Sequence, residues 1–159
     1  MTTATADAAT TATTLRTGHV GLNVTDLGRS LTFYRDLLGF ELLVEGKEEG
    51  RRFALLGDGE RLALALWEQA EQPFAADRSG LHHLALEAGS IERVREYEEA
   101  LRAYGAEFAY DGVVAHREGA ASGGIFFHDP DGIRLEIYAP TGAEAAPAPN
   151  ESVPTCGFF

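Results

Sequence analysis

Cysteine, basic residues and long apolar runs are all scarce in this chain of 159 residues. A single cysteine, Cys156, rules out an internal disulfide, favours a reducing compartment and predicts a cytoplasmic protein. Only 13 Lys and Arg oppose 25 Asp and Glu, for a net charge of −12, which argues against nucleic acid and anionic lipid as main partners. No apolar run approaches the roughly 20 residues of a membrane-spanning helix. The composition therefore predicts a globular protein whose main partner is neither nucleic acid nor a membrane.

Both ends of the chain have the composition of flexible segments. Residues 1–14 are mostly Ala and Thr, without the basic and apolar regions of a secretory signal, and they predict a disordered tail. Residues 141–159 are rich in Ala and Pro and predict a flexible extension. Phe158 and Phe159 at its end are interpreted as a frayed terminus, with docking on the body or on a partner as the alternative. The ordered domain is expected over residues 15–140.

The domain divides into two halves, 15–75 and 80–140, that repeat the same order of elements. Asp26 and Ser90 are the predicted N-caps of the two helices, and Gly39 and Gly105 follow the helix ends. Short apolar runs bounded by turns predict strands at 19–24, 40–45, 52–56 and 61–67, and then at 83–88, 107–110, 124–127 and 133–138. This order predicts an α+β fold of two tandem β-α-β-β-β modules with largely antiparallel sheet.

Three motifs carry a resemblance to a known family: HVGLNVTDLGRSLTFYRDLLGF at 19–40, GLHHLALE at 80–87 and DPDGIRLEIY at 129–138. With them the chain resembles the vicinal oxygen chelate superfamily, which includes glyoxalase I, bleomycin-resistance proteins, fosfomycin-resistance thiol transferases, methylmalonyl-CoA epimerase and extradiol dioxygenases. The resemblance implies a cup-shaped mixed sheet around a metal site. It also implies a homodimer, in which modules of two protomers pair and His19 of one meets His83 and Glu136 of the other.

By this resemblance His19, His83 and Glu136 are the metal ligands. The fourth ligand position falls near Leu64, in a run that holds no metal-binding residue. Two histidines and one carboxylate leave about three positions for water, substrate or dioxygen. This arrangement favours Fe(II) as the divalent metal, with Mn(II), Zn(II), Ni(II) and Co(II) as alternatives.

Strand alternation predicts which other side chains share the cup with the ligands. Tyr138 is a candidate to orient substrate or relay a proton, His128 to act as a base, and Arg134 to meet an anionic group. The expected substrate contacts are Asn23, Glu87, Phe53, Leu64 and Phe127.

The remaining histidines and Trp67 are interpreted as structural. His82 is expected to face the opposite side of the sheet from His83, and His116 to lie in a surface loop, with a role as a base near the metal as its alternative. Trp67 is expected to be a core or interface aromatic.

The expected activity is that of a metal-dependent enzyme acting on a small oxygen-bearing metabolite. Fe(II) dioxygenase-like chemistry is favoured, although Phe126 occupies the position where ring-cleaving members of the superfamily carry tyrosine, which puts standard catechol cleavage in doubt. One alternative is lyase, isomerase or thiol-transferase chemistry on another metal. A second is a ligand-sequestering protein similar to the bleomycin-resistance proteins.

Overall fold

The computed structural model describes residues 14–159, so the predicted disordered tail lies outside the described residues except for Thr14. Module one comprises β1 Val20–Val24, α1 Leu27–Leu31 with a π-helical continuation Thr32–Leu37, β2 Glu41–Gly46, β3 Phe53–Gly57 and β4 Leu62–Glu68. Module two comprises β5 Leu84–Glu87, α2 Ile91–Tyr104, β6 Val114–Ala115, β7 Gly123–His128 and β8 Arg134–Ala139. The predicted α+β class and the tandem β-α-β-β-β order are confirmed.

Each module forms its own four-stranded mixed sheet. Sheet one has the order β1-β4-β3-β2 and sheet two the order β5-β8-β7-β6. The first and last strands of each module are parallel neighbours, whereas the other pairs are antiparallel. Parallel neighbours cannot be joined by a tight hairpin, and in each module the intervening helix and two strands make the connection. Consequently β4 and β8 lie inside their sheets, flanked on both sides.

The helix boundaries follow the capping residues that the sequence indicates. Asp26 Oδ1 accepts a hydrogen bond from the backbone N–H of Arg29 at 2.9 Å, and Ser90 Oγ accepts one from Arg93 at 3.2 Å. Gly105 ends α2 with φ of 90°, a left-handed conformation that glycine adopts without strain. In residues 14–159, no helix has both the length and the hydropathy needed to cross a membrane.

The inner faces of both sheets pack into one hydrophobic core. Leu22 and Leu64 contribute from sheet one, Phe127 and Leu135 from sheet two, and Phe33 from the π-helical segment between them. The rings of Phe33 and Phe127 lie with their centroids 6.3 Å apart. The two modules are therefore packed together through their apolar faces, and the opposite face of each sheet, here called its outer face, points away from this core.

The turn before β8 ties the modules together by hydrogen bonds. Tyr34 donates its hydroxyl to Asp129 Oδ2 at 2.8 Å, and Asp129 Oδ1 accepts from the backbone N–H of Asp131 and Ile133. Arg29 pairs with Asp131 at 2.6 Å. Burial raises the pKa of Asp129, and the hydrogen bonds that its carboxylate accepts oppose that shift. The turn thus serves as the docking point of module one on module two.

The structure differs from the sequence expectation at 107–110. A single bridge forms there between Phe108 and Phe127, closed by hydrogen bonds from Ala109 N–H to the Phe126 carbonyl and from His128 N–H to the Glu107 carbonyl. The regular strand at this edge of sheet two is the two-residue β6. Gly112, with φ of 75°, turns the chain away before it rejoins the sheet at Val114. The predicted strand is therefore reduced to a single bridge, and bends follow it.

The expectation of a flexible extension at 141–159 is also corrected, because this segment packs against module two. Ala143 donates its N–H to the carbonyl of Ala121, Ala115 donates to Pro147, and the buried Thr155 donates its hydroxyl to the carbonyl of Ala115 at 2.7 Å. A short edge strand leaves backbone groups without partners. The C-terminal segment supplies those partners.

We expect Tyr34→Phe to lower the free energy of unfolding by about 1–3 kcal/mol, because it leaves the buried Asp129 carboxylate without its hydroxyl donor. Urea unfolding followed by circular dichroism measures the change. Tyr104→Phe is the matched control, since Tyr104 is exposed, and it should stay within about 0.5 kcal/mol of the wild type. Equal stabilities for the two variants would contradict the docking role of the turn.

Candidate metal centre on sheet two

Glu136 lies at the middle of β8 on the outer face of sheet two. Its neighbours across the sheet are Ala85 on β5 and Phe126 on β7. Successive residues of a strand point to opposite faces, so Leu135 and Ile137 enter the core while Glu136 does not. The glutamate is nevertheless only 3% exposed. A carboxylate that is buried in this way requires compensation by hydrogen bonds or by a cation.

Two histidines flank the Glu136 carboxylate. His116 Nε2 lies 2.5 Å from Oε1, and His83 Nε2 lies 3.5 Å from Oε2. On its other side, His116 Nδ1 lies 2.8 Å from the Ser122 hydroxyl. Among residues 14–159, no Arg or Lys forms an ion pair with Glu136. One carboxylate oxygen is therefore held by His116, and the other faces His83 at a distance longer than a strong hydrogen bond.

His83 immediately precedes β5, and its ring is oriented by His82. The Nδ1 atoms of the two imidazoles lie 2.8 Å apart, which leaves His83 Nε2 directed at Glu136. Burial lowers the pKa of His83; the negative charge of Glu136 opposes this shift, and His82 and Arg134 add to it. A lowered pKa favours the neutral imidazole, which is the form that binds metal.

The third potential ligand is Cys156, in the short 3₁₀ turn Thr155–Gly157 of the C-terminal segment. Ligand atoms of His83, Glu136 and Cys156 all lie within 4.8 Å of one another. Burial raises the pKa of the Cys156 thiol, and the nearby Glu136 carboxylate raises it further. Imidazole nitrogen, carboxylate oxygen and thiolate sulfur are the donors of transition-metal sites, so this cluster fits a divalent ion.

His19, by contrast, is not part of this cluster. It precedes β1 and is exposed in a cleft of about 550 Å³ that Arg61, Glu87 and Arg93 also line. The structure therefore brings together two of the three ligands that the resemblance implies, and it separates His19 from them within one chain.

The strand register corrects the position of the missing fourth ligand. Gly21 pairs with Ala65 in sheet one as Ala85 pairs with Glu136 in sheet two, so Ala65 is the equivalent of Glu136. Leu64, the residue expected there, points into the core. The methyl group of Ala65 cannot bind metal, so the equivalent of Glu136 is absent from module one.

Two expected substrate contacts lie in the core rather than at the site. Leu64 and Phe127 are both buried members of the core cluster. For Phe127 the reason is strand phase: Phe126, one residue earlier, pairs with Glu136 and faces the outer side. The aromatic wall beside the carboxylate is therefore Phe126.

The other expected substrate contacts are divided between the two sheets. Asn23 Oδ1 accepts the backbone N–H of Gln69 at 3.0 Å, and Phe53 stacks on Trp67 with ring centroids 5.2 Å apart, both on sheet one. Glu87 lies on sheet two. None of these three contacts the His83–Glu136 pair within the described chain.

The candidate catalytic residues lie along the outer face of sheet two. Tyr138 donates to Glu87 at 3.0 Å, and its ring lies 5.6 Å from that of His116. Burial and the Glu87 carboxylate raise the pKa of Tyr138. Arg134 lies 3.5 Å from His82, and its strand neighbour His128 has a buried Nδ1 without a protein partner among the described residues. Tyr138 therefore reaches the cluster through His116, and Arg134 reaches it through His82.

Sequence reasoning misplaced two histidines and did not include Cys156 in the site. His116 contacts Glu136 directly, although its loop indicated a surface position. His82 contacts His83 because both precede β5, where strand alternation does not apply. The alternative given for His116, a base near the metal, agrees with this contact. Nothing in the local sequence placed Cys156 near residues so far away in the chain.

The two-module fold defines the class, and comparison with known proteins defines the family. The model of the Glyoxalase/Bleomycin resistance protein/Dioxygenase superfamily matches residues 16–137, and the chain belongs to this superfamily. The resemblance stated from the motifs is thereby confirmed.

Similar proteins within the family differ in their named activities. Catechol-2,3-dioxygenase of Bacillus subtilis is 33% identical over 77% of this chain, but the match spans only 40% of that protein. Metallothiol transferase FosB of Staphylococcus saprophyticus is 30% identical over 89% of this chain and 87% of that protein. The crystal structure of a glyoxylase/bleomycin resistance protein/dioxygenase domain from Frankia sp. EAN1pec has a TM-score of 0.68 at 27% identity, over 80% of this chain and 98% of that one.

We expect the metal-free protein to show a His83 titration midpoint below the ordinary 6.5. Protonation of His83 is less favourable in the folded protein than in the unfolded chain. The free energy of unfolding is therefore independent of this group well above pH 6.5 and decreases as the pH falls below it. Glu136→Gln removes the opposing negative charge and should lower the midpoint further. NMR titration of chelator-treated protein measures it, with the exposed Glu99→Gln as control. A midpoint that rises in Glu136→Gln would contradict this electrostatic account.

Proposed function

We propose that the chain is a metal-dependent enzyme in which His83 and Glu136 hold a divalent ion that binds two adjacent oxygens of a small substrate. The observation that carries this proposal is the buried Glu136 carboxylate, which faces a histidine and has no Arg or Lys partner in the described chain. Charges buried in proteins are normally paired or bound to a metal. A divalent cation between Glu136 and His83 supplies that compensation.

The third ligand in this proposal is His19 of a second copy of the chain. Within one protomer His19 lies in the cleft beside Glu87, apart from the cluster. The outer face and edge of sheet one expose large apolar side chains, including Leu43, Val44 and Trp67, which is typical of a surface covered by a partner. A homodimer that pairs sheet one of each copy with sheet two of the other covers this face and completes two sites.

The residues around the cluster have distinct parts in the proposed chemistry. A metal bound here supplies Lewis-acid chemistry and, if it is Fe(II), oxygen activation. His116 fixes the orientation of the Glu136 carboxylate through Oε1. Tyr138, oriented by Glu87, offers a phenol for substrate orientation or proton relay, and Arg134 offers a cation for an anionic substrate group. Phe126 provides an apolar wall and donates no hydrogen bond.

Fe(II) oxygenase-type chemistry is the reaction class we favour. A His/His/carboxylate set without a ligand at Ala65 leaves positions for substrate and dioxygen. The 33% sequence identity to catechol-2,3-dioxygenase of Bacillus subtilis is consistent with this class. Because Phe126 faces Glu136 where a phenol would be needed to hold a catecholate, we expect a substrate other than a simple catechol.

Non-redox transfer chemistry is the second candidate, and it is favoured by the share of each relative's length that this chain matches. The match to metallothiol transferase FosB extends over most of both chains, whereas the match to the dioxygenase spans less than half of that protein. In this candidate a metal held by His83 and Glu136 would supply Lewis-acid chemistry to the substrate oxygens without a change of oxidation state.

Protein purified without a histidine tag should contain nearly one divalent metal ion per chain, measured by mass spectrometry. Glu136→Gln should lose most of this metal because an amide is a weaker ligand than a carboxylate. Glu99→Gln, on the exposed side of α2, should retain it. Equal metal content in both variants, or none in the wild type after reconstitution, would contradict the proposed centre.

Oxygen dependence separates the two reaction classes. Once a turned-over substrate is found by screening oxygen-bearing metabolites, the Fe(II)-loaded enzyme should consume dioxygen in step with product and stop under anaerobic conditions. An oxygen electrode and product analysis provide the readout. Turnover that is unchanged without oxygen would reject the oxygenase and support transfer chemistry.

A hybrid dimer of His19→Ala and His83→Ala protomers tests the shared site. Each homodimeric variant should bind metal weakly, whereas the hybrid should regain one tight site per dimer, because one wild-type His19 then meets one wild-type His83. Co-expression with two different tags, neither of them histidine, isolates the hybrid for metal titration. No recovery in the hybrid, or monomeric behaviour in light scattering, would contradict the shared site.

A further inference from the structure

We infer that Cys156 is a metal ligand, and that the C-terminal segment delivers its thiolate to the ion held by His83 and Glu136. This inference rests on the metal centre proposed above and extends it to a donor that neither β-α-β-β-β module contains. Three structural observations carry it: the anchoring of the segment, the position of the sulfur, and the missing ligand in module one.

The segment around Cys156 is anchored on both sides of the sulfur. Before it, Thr155 is buried, donates its hydroxyl to Ala115 and donates its N–H to the carbonyl of His116 at 2.9 Å. Tyr110 donates its hydroxyl toward the carbonyls of Thr155 and Phe158, each at 3.3 Å. These contacts place the turn that carries the cysteine directly over β6 and its neighbours, so the position of the sulfur follows from the surrounding backbone.

After the cysteine, Phe159 anchors the end of the chain on the same site. Its ring lies 4.8 Å from the ring of Phe126 and 5.7 Å from that of His83, measured between centroids. The guanidinium of Arg134 lies 5.8 Å from the Phe159 ring centre. Aromatic contacts of this kind stabilise the segment beyond the burial of apolar area alone. Cys156 is therefore held between two anchors that both contact the metal cluster or its immediate neighbours.

The geometry of the three donors suits a common ion. Donor atoms that share one metal ion with bonds of about 2.0–2.3 Å lie roughly 3–4 Å apart, and those of His83, Glu136 and Cys156 lie within 4.8 Å of one another. Because His116 holds Oε1, Oε2 is the oxygen that faces His83 and is free for the ion. Binding releases the thiol proton to solvent and forms a sulfur–metal bond, with no change of oxidation state.

The cysteine supplies the fourth metal ligand that module one lacks. Ala65 stands where a second carboxylate would complete a four-ligand set, and no residue of β4 at that level carries a donor. With His19 from a second copy, Cys156 would bring the protein ligands to two imidazoles, one carboxylate and one thiolate. A thiolate selects softer ions such as Zn(II) over Mn(II) or Mg(II), so the tail also influences which metal is bound.

Cobalt(II) is the probe that tests this inference, because it reports sulfur ligation by a thiolate-to-cobalt charge-transfer band in the near ultraviolet. Chelator-treated full-length protein, kept reduced with a phosphine, is titrated with Co(II) under nitrogen, and bound cobalt is measured in parallel by mass spectrometry. Cys156 is the one cysteine of the chain, so any such band arises from it. We expect the band to grow with bound cobalt and saturate with the site.

Cys156→Ser should abolish the band while cobalt still binds, with affinity reduced at least about tenfold, since even ligand-supporting residues contribute 10–100-fold. Phe158→Ala is the matched control in the same segment, because its side chain is 69% exposed, and it should keep both band and affinity. Bound metal should also slow alkylation of Cys156 by iodoacetamide in the wild type.

Cobalt bound by the wild type without the band, or with an unchanged rate of alkylation, would overturn the role of Cys156 and leave the His83–Glu136 centre intact. Failure of the wild type to bind cobalt, or binding unaffected by Glu136→Gln, would overturn the centre itself and the inference with it.

Discussion

The burial of the Glu136 carboxylate is the constraint on which the candidate site depends. A negative charge almost fully removed from water needs donors or a cation, and within residues 14–159 the structure supplies two histidines and a nearby thiol but no Arg or Lys ion pair. The central position of β8, flanked by β5 and β7, holds the carboxylate in place from both sides. His116 and Ser122 then orient it, so that one oxygen remains directed at His83.

Duplication of the module has given two sheets with the same topology and different outer faces. At the level of Glu136, sheet two presents Ala85, Glu136 and Phe126, whereas sheet one presents Gly21, Ala65 and Leu55. The first set includes the negative charge of Glu136, which requires a donor or a cation, and the second set is apolar. Because the inner faces of both sheets form the shared core, the chemical difference between the sheets lies on their outer faces.

In this superfamily one fold supports several reactions, so the fold alone does not determine the reaction. In this chain the selecting features lie on and above the outer face of sheet two. Phe126 places an apolar ring beside the carboxylate, and the C-terminal segment covers the same region with Cys156 and Phe159. Both features border the candidate metal centre.

The amino-acid sequence by itself determined the two modules, the helix caps and the positions of His83 and Glu136, because these depend on local periodicity, capping residues and short motifs. The face of the sheet to which each side chain points could be predicted only in part. A shift of one residue along a strand moves a side chain to the other face, and Phe127 was therefore predicted at the site that Phe126 occupies. The contact of His116 with Glu136, the equivalence of Ala65 to Glu136, and the approach of Cys156 were decided by tertiary structure alone. Each depends on how a loop, a strand pair or a chain terminus packs against residues distant in sequence, and no local pattern encodes that packing.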